Sequence, residues 1–276
     1  MDRFTTIDGS VLDGVSATTL WTLRNRAAEA KRSDGVIRDP WAITVLDAID
    51  YDYDKFGKPS QYHALRAKAF DAETRGYLTR HPKASVIALA EGLQTSFWRL
   101  DREHAMDEST WYSVDLPPVM DLRRRLLPTD DRIVDLAQSA LDRSWMPRVD
   151  SSHGAFITAE GLLMYLPPDD ALGLIRHCAQ QFPGGAMMFD SNPHWLSRRA
   201  HRGLTLSERY VTPPLPFALT PDEALAMAGS IPGVVSARDV RLPAGRGMFT
   251  LAPSPLLDRG ALRANRPSMT VLEFQQ

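Results

Sequence analysis

Apolar positions along this chain follow two different spacings. From residue 16 to about 31, Leu20, Leu23, Ala27 and Ala30 recur at helical intervals behind a candidate cap at Ser16 or Thr18. After a turn at Ser33-Asp34-Gly35, Asp39-Pro40 leads into a short apolar helix through Trp41, Val45 and Leu46. Residues 51–59 read as irregular, and a helix over about 61–79 carries Leu65, Phe70 and Leu78. From residue 84 the pattern changes to short apolar runs at 85–89, 111–114, 132–134, 155–159 and 186–189, the last four closing on Asp115, on Asp135-Leu136, on Ala159 before Glu160, and on Asp190. Runs of this length suit strands buried on both faces. Helical stretches lie between them: Phe97 to Leu100, the segment opened by Pro117-Pro118 with Val119, Leu122 and Leu126, and residues 170–181. Strands alternating with helices at this interval imply parallel βαβ units with right-handed crossovers, an α/β fold. Beyond residue 190 the pattern loosens. A proline-rich connection at 213–216 precedes a helix at 221–229, and strands are expected at 235–240 and 248–251, with no clear pattern after Pro253.

Composition narrows the class. The 276 residues are 43% hydrophobic and 24% charged, as in a globular protein with a full core. Lys and Arg total 32 against 34 Asp and Glu, so there is no global basic field of the kind that attracts nucleic acid. A small ligand fits better. Cys178 is the single cysteine, which excludes an intramolecular disulfide and a cysteine metal cage. The seven histidines show no H-x-x-x-H spacing, so no metal is expected. The opening Met1-Asp2-Arg3-Phe4-Thr5 leads into polar sequence without an apolar leader, and no run reaches the ~18 apolar residues of a membrane span, so the expected location is the cytoplasm.

Ligands of open α/β sheets bind beyond the carboxyl ends of the strands, so the residues there are the ones to weigh. Ala90-Glu91-Gly92 follows the first strand, and Gly92 would let the backbone approach a ligand. Asp115 lies close to the ~20 residues past that glycine at which an acid meets a ribose hydroxyl in nucleotide-binding folds. It would equally complement the dipole of the following helix. With Asp135, Glu160 and Asp190 at the other strand ends, the sheet edge suits a ligand bearing hydroxyls and positive charge. That favours S-adenosylmethionine (SAM) over NAD or ATP, whose pyrophosphate would be repelled. Neither a G-x-G-x-x-G fingerprint nor a P-loop is present. Arg123-Arg124-Arg125 reads as a solvated helix face, Cys178 as core, and Met164, Met187 and Met188 as core before substrate contacts.

The segments from Ala88 to Asp101 (ALAEGLQTSFWRLD), Ser113-Val114-Asp115-Leu116-Pro117 and Ala159 to Pro167 (AEGLLMYLP) resemble motifs of the leucine carboxyl methyltransferase family, in its bacterial branch of tetracenomycin-type polyketide O-methyltransferases. Val134-Asp135-Leu136 is similar to the family's short Asp-Leu motif. Arg26 to Ala30, Asp39 to Ala42 and Leu65 to Asp71 fit its N-terminal helices, and Phe182 to Gly185 and Phe189 to Ser191 fit downstream motifs, so the likeness covers roughly residues 16–252. It implies a doubly wound, mostly parallel sheet of the class I SAM-dependent methyltransferase type. Residues 1–80 would form a helical cap within the same domain. Residues 81–276 would form the SAM-binding core, with a substrate-covering segment after residue 190. It further implies that Arg66 and Arg26 hold the SAM carboxylate, Gly92 passes the methionyl part and Asp115 with Leu116 takes the ribose side. Asp135 with Leu136 would take the adenine, and Glu160 the amino group. The family has glycine where this chain has Ala90, whose methyl group would crowd the ligand and weaken affinity.

The implied reaction is O-methylation of a small molecule, with a carboxylate preferred as acceptor because it is ionised at neutral pH and needs no base. A phenol would need one, and His194, just past the fifth strand, is the candidate. Tyr165, Trp195, Arg198, Arg199 and Tyr210 are expected to line the acceptor pocket, the arginines suiting an anion. Two alternatives differ in class: a SAM-binding protein of the same fold without turnover, and a Rossmann-type oxidoreductase.

Overall fold

A computed structural model of the chain describes residues 6–276; the opening Met1 to Thr5, read above for a leader, lies outside the described residues. Three helices come first: α1 (Thr18–Ala30), α2 (Pro40–Ala48) and α3 (Tyr62–Arg80). The start of α2 follows from its sequence. Asp39 Oδ1 caps it by accepting the Ala42 N–H at 3.0 Å, and Pro40 occupies the first turn, where its missing N–H costs nothing.

Seven strands then build the central sheet: β1 (Ser85–Leu89), β2 (Thr110–Asp115), β3 (Ile133–Ala137), β4 (Ala155–Ala159), β5 (Ala186–Ser191), β6 (Val234–Val240) and β7 (Ser268–Phe274). Interleaved with them are α4 (Ser96–Asp101), α5 (Pro117–Leu126), α6 (Pro168–Gln181), α7 (His194–His201), α8 (Pro221–Leu225), α9 (Met227–Ser230) and α10 (Gly260–Asn265). The spatial order is β6-β7-β5-β4-β1-β2-β3, with β1 to β5 parallel and β7 antiparallel to both of its neighbours. The chain winds outward from β1 to β3, then returns beside β1 with β4. The winding therefore reverses between β1 and β4, where a ligand crevice is expected.

The two-residue strand period sorts the core into two layers. Val86 and Ala88 of β1 pack with α3 and α4 residues such as Phe70 and Phe97, while Ile87 and Leu89 pack with Leu174, Ile175 and Cys178 of α6. A third cluster joins Leu20, Leu23 and Ala27 of α1 to Val45, Leu93, Val119 and Leu122. Burying each large side chain of this kind contributes about 1.5–3 kcal/mol, enough to seat the N-terminal helices on the sheet's edge.

Two sequence expectations change. The strand expected at 248–251 is a 3-10 turn (Gly247–Leu251) with Met248 83% exposed, and the final strand is β7. Strand β3 runs to Ala137, so Asp135 lies inside it rather than at its end. Its side chain turns to α5, where Arg124 Nε reaches its Oδ2 at 3.0 Å. Among the described residues no helix is long and apolar enough to cross a membrane.

Candidate active site

The loop after β1 turns sharply because two of its residues adopt left-handed backbone: Ala90 with φ +48° and Gly92 with φ +60°. Three elements hold it there. Asp115, at the end of β2, accepts the Gly92 N–H on Oδ2 at 2.6 Å and the Leu116 N–H on Oδ1 at 2.7 Å. Arg123 of α5 donates through Nη1 to the carbonyls of Gly92 (2.7 Å) and Gln94 (2.9 Å), and its Nη2 lies 2.9 Å from Glu91 Oε2. From α1, Thr19 Oγ1 accepts the Leu93 N–H at 2.7 Å. A β-carbon on Gly92 would stand 2.3 Å from that same oxygen, so the position requires glycine for space as well as for φ.

A second constellation forms where β4 ends. Arg66, about one turn into α3, donates Nε to Glu160 Oε1 and Nη1 to Asp190 Oδ2, both at 2.9 Å. Gln94 Nε2 also reaches Glu160 Oε1, at 2.7 Å, and Asp190 Oδ1 accepts the Gly161 N–H at 2.6 Å. Burial pushes the carboxyls of Glu160 and Asp115 above the ordinary range; Arg66 opposes this at Glu160, and two backbone N–H groups oppose it at Asp115. Glu160 Oε2 has no hydrogen-bond partner among the described residues.

These groups lie along a cavity of about 640 Å³. Ala90, Gly92, Asp115, Leu116, Arg66 and Glu160 line it, as do Ser139 to Leu141 after β3. Another wall is apolar: Met164, Tyr165, Leu196, Leu204 and Leu215 cluster there, and Trp21 and Trp195 also face the space. His63, on α3 ahead of Arg66, is the one imidazole lining the cavity among the described residues. Its Nδ1 lies 2.7 Å from Asn25 Nδ2, and Asn25 Oδ1 accepts the Ser60 N–H at 3.1 Å.

Several expected site residues stand elsewhere. Arg26 is fully buried behind the loop, with Nη1 on Asp39 and Thr95 and Nη2 on the Leu93 carbonyl at 2.6 Å; it does not line the cavity. Asp135 faces Arg124, and Leu136 is buried in the core. His194 pairs with Glu223 at 2.7 Å, away from the cavity. Arg198 and Arg199 are exposed on α7, and Tyr210 packs edge-on against Phe56 with ring centroids 4.7 Å apart. Arg123, read as solvated, is buried. Its signal was available, because it lies four residues beyond Val119 on the face that carries the core. Nothing in the sequence singled out His63, whose place depends on the packing of α1 against α3.

The lining meets the demands of SAM. Glycine at 92 leaves room that a β-carbon would fill, and Asp115 keeps a lone pair on each oxygen for hydroxyls. The open oxygen of Glu160 suits an ammonium group. Among the described residues no group of three or more His, Cys, Asp or Glu side chains is placed to hold a metal ion.

Comparison with known proteins shows the family of the chain. The family model for leucine carboxyl methyltransferase matches residues 19–179. The chain is 34% identical over 192 residues to the tetracenomycin polyketide synthesis O-methyltransferase TcmP of Streptomyces glaucescens, an alignment covering 68% of this chain and 70% of TcmP. It is 30% identical over 201 residues to a candidate S-adenosyl-L-methionine-dependent methyltransferase of Mycobacteroides abscessus, covering 62% of this chain and 64% of that one. In fold it matches the crystal structure of a candidate methyltransferase from Thermobifida fusca YX with a TM-score of 0.54 and 18% identity, over 92% of this chain and 94% of that chain. The chain therefore belongs to the leucine carboxyl methyltransferase family and is a SAM-dependent methyltransferase.

Proposed function

We propose that the enzyme methylates a carboxylate oxygen of a small acid with an apolar, polyketide-like body. The observation that carries this reading is that no imidazole lining the cavity among the described residues is free to act as base, while the carboxylates there, Glu91, Asp115 and Glu160, face Arg123, the loop backbone and Arg66. His194 is outside the cavity, and the Nδ1 lone pair of His63 is taken by Asn25. Glu160 shares one oxygen between Arg66 and Gln94. A carboxylate acceptor, with a reference pKa near ~4, arrives ionised and needs no base, whereas a phenol near ~10 does.

Arg66, through its remaining Nη2, would hold the SAM carboxylate, and Glu160 the ammonium group. Asp115 would hold the ribose, and Gly92 would pass the methionyl part. Leu116 and residues 139–141 would enclose the adenine in place of Asp135 and Leu136. Bound SAM would supply a methyl group on a sulfonium, with its leaving group already in place. The protein's part is then to align the acceptor and exclude water, and such alignment can lower a barrier by ~7–11 kcal/mol. The wall of Met164, Leu196, Leu204 and Leu215 would take the acceptor's apolar body. In this reading residues 1–80 act as a cap on the core, and the segment after residue 190 covers the acceptor.

6-Hydroxy-2-naphthoic acid tests the proposal, since it offers a carboxylate and a phenol on one apolar body. With SAM the expected product is the methyl ester, recognised by its loss on alkaline hydrolysis. The methyl ether formed alone would overturn the reading. His194→Ala should leave turnover within about twofold, as expected of a side chain remote from the reacting groups.

A further inference from the structure

His63 and Arg66 stand three residues apart on one face of α3, and both line the cavity. The protonation of the His63 ring follows from its neighbours. The Ser60 backbone N–H can only donate, so the atom of Asn25 that faces it is the amide oxygen. The amide NH2 of Asn25 therefore faces His63 Nδ1, and an NH2 group also can only donate. Nδ1 must be the bare nitrogen, and the neutral ring carries its hydrogen on Nε2. A second proton at Nδ1 would set N–H against N–H. Burial, with the positive charges of Arg66 and Arg26, keeps the ring neutral well below its ordinary pKa. Trp21 and Tyr62 meet the ring with their own rings at 4.7 and 5.5 Å, and neither supplies a charge. Nε2 has no hydrogen-bond partner among the described residues, yet is not sealed from the cavity.

We propose that His63 is a positioning residue that presents a fixed Nε2–H donor to the anionic oxygen of the acceptor, its tautomer set by the Ser60–Asn25 relay. The role rests on the carboxylate reading above. With Nδ1 occupied and Nε2 already protonated, the ring has no lone pair with which to deprotonate a neutral hydroxyl. It selects acceptors that arrive ionised.

Two measurements on the whole protein test this. Long-range 1H–15N correlation spectra of 15N-histidine-labelled protein read the tautomer of each ring. His63 should show a bare Nδ1 and a protonated Nε2 from about pH 6 to 8, the range in which an ordinary histidine titrates. Asn25→Asp keeps an oxygen for Ser60 but replaces the NH2 by an acceptor, and should move the ring hydrogen to Nδ1. The reverse tautomer in the wild type, or a doubly protonated ring at neutral pH, would overturn the proposal. The second measurement is binding of 2-naphthoate to protein loaded with S-adenosylhomocysteine (SAH), followed through the fluorescence of Trp21 and Trp195. His63→Leu should weaken 2-naphthoate about tenfold, the scale of a hydrogen bond to a charged group, and leave SAH affinity unchanged. His63→Gln, whose amide nitrogen reaches the place of Nε2, should recover binding to within about threefold of wild type. Equal binding by wild type and His63→Leu, or a loss of SAH affinity instead, would remove the donor role. Should the wild type methylate the phenol of 6-hydroxy-2-naphthoic acid, the carboxylate reading fails alone, because the tautomer spectrum is recorded without an acceptor.

Discussion

Arg26 Nη1 lies 2.8 Å from Asp39 Oδ2, and both side chains are completely buried. Asp39 also takes Arg99 Nη1 at 2.8 Å and Thr95 Oγ1 at 2.7 Å, while Arg99 grips Asp71 through two hydrogen bonds of 2.6 and 2.9 Å. One network thus ties α1, the start of α2, α3 and α4 together directly behind the loop that follows β1. Burial disfavours the charge on Asp39, but Arg99 and Arg26 outweigh it and hold the carboxyl below its ordinary value.

Arg26 therefore supports the site from behind, and its removal should show as lost stability. Arg26→Ala leaves part of a buried charge network unpaired and frees the Leu93 carbonyl, which should cost about 3 kcal/mol in chemical denaturation. Measured well below the transition, SAH affinity should fall less than about threefold. A large loss of affinity at unchanged stability would mean that the guanidinium touches the ligand after all.

Arg123 holds the same loop from the opposite side, so its prediction has two parts. Arg123→Ala removes the donors to the Gly92 and Gln94 carbonyls and leaves Glu91 without its counter-charge. The expected losses are about 3 kcal/mol of stability and at least about tenfold in SAH affinity, read by denaturant titration and calorimetry. Arg125→Ala, on the exposed side of the helix, should change stability by no more than about 0.5 kcal/mol.

The contrast between these arginines shows what the sequence could reveal. Strands β1 and β4 were legible to the residue because each is a short, mainly apolar run that is buried at every position. The end of β3 was not, and two residues decided the matter. Extension to Ala137 made Asp135 a mid-strand residue, and side-chain parity turned it toward Arg124. Strand β7 was not legible because it is inserted between β5 and β6 and runs antiparallel to both, so it completes no parallel βαβ unit. At the site, Gly92, Asp115 and Glu160 follow directly from strand ends, so topology alone places them. Arg26 and Arg66 both sit on helices within family-like motifs, and only their tertiary partners separate the buried clamp from the cavity wall. In the segment after residue 190, Trp195 lines the cavity, whereas Arg198 and Arg199 lie exposed on α7 beside the buried Ser197 and Ala200.

Ala90 bears on stability as well as on the ligand. Its φ of +48° lies in the left-handed region, which costs an alanine roughly 1–2 kcal/mol and a glycine little. The residue also packs against the core cluster on one face of the sheet, so removing its methyl group loses a small contact. Ala90→Gly should therefore stabilise the protein by ~1 kcal/mol and raise Tm by about 2 °C in differential scanning calorimetry. SAH affinity is expected to stay within about threefold of wild type. A tenfold gain would show that the methyl group crowds the ligand, as the family's glycine at this position implies.

The raised carboxyls of Asp115 and Glu160 give affinity and stability opposite responses to acid. Burial is the main cause at both, and it lifts them above the unfolded values of ~3.9 and ~4.3. As pH falls through the folded-state values, the ligand-free protein takes up protons more readily than the unfolded chain does, so these groups add stability in that window. A ligand bearing an ammonium and hydroxyls favours the ionised carboxylates, so its affinity is full above the window and declines through it. The Tm increase produced by SAH should accordingly shrink on the acid side while the two groups' contribution to ligand-free stability grows. Asp39, held below its ordinary value, acts in the other direction but only at lower pH, where its stabilising ion pairs are lost. Glu160→Gln should weaken SAH by about tenfold at neutral pH and flatten the acid limb of the binding profile, measured by calorimetry in buffers of different ionisation enthalpy. An unchanged acid limb in that variant would assign the proton uptake to Asp115 instead.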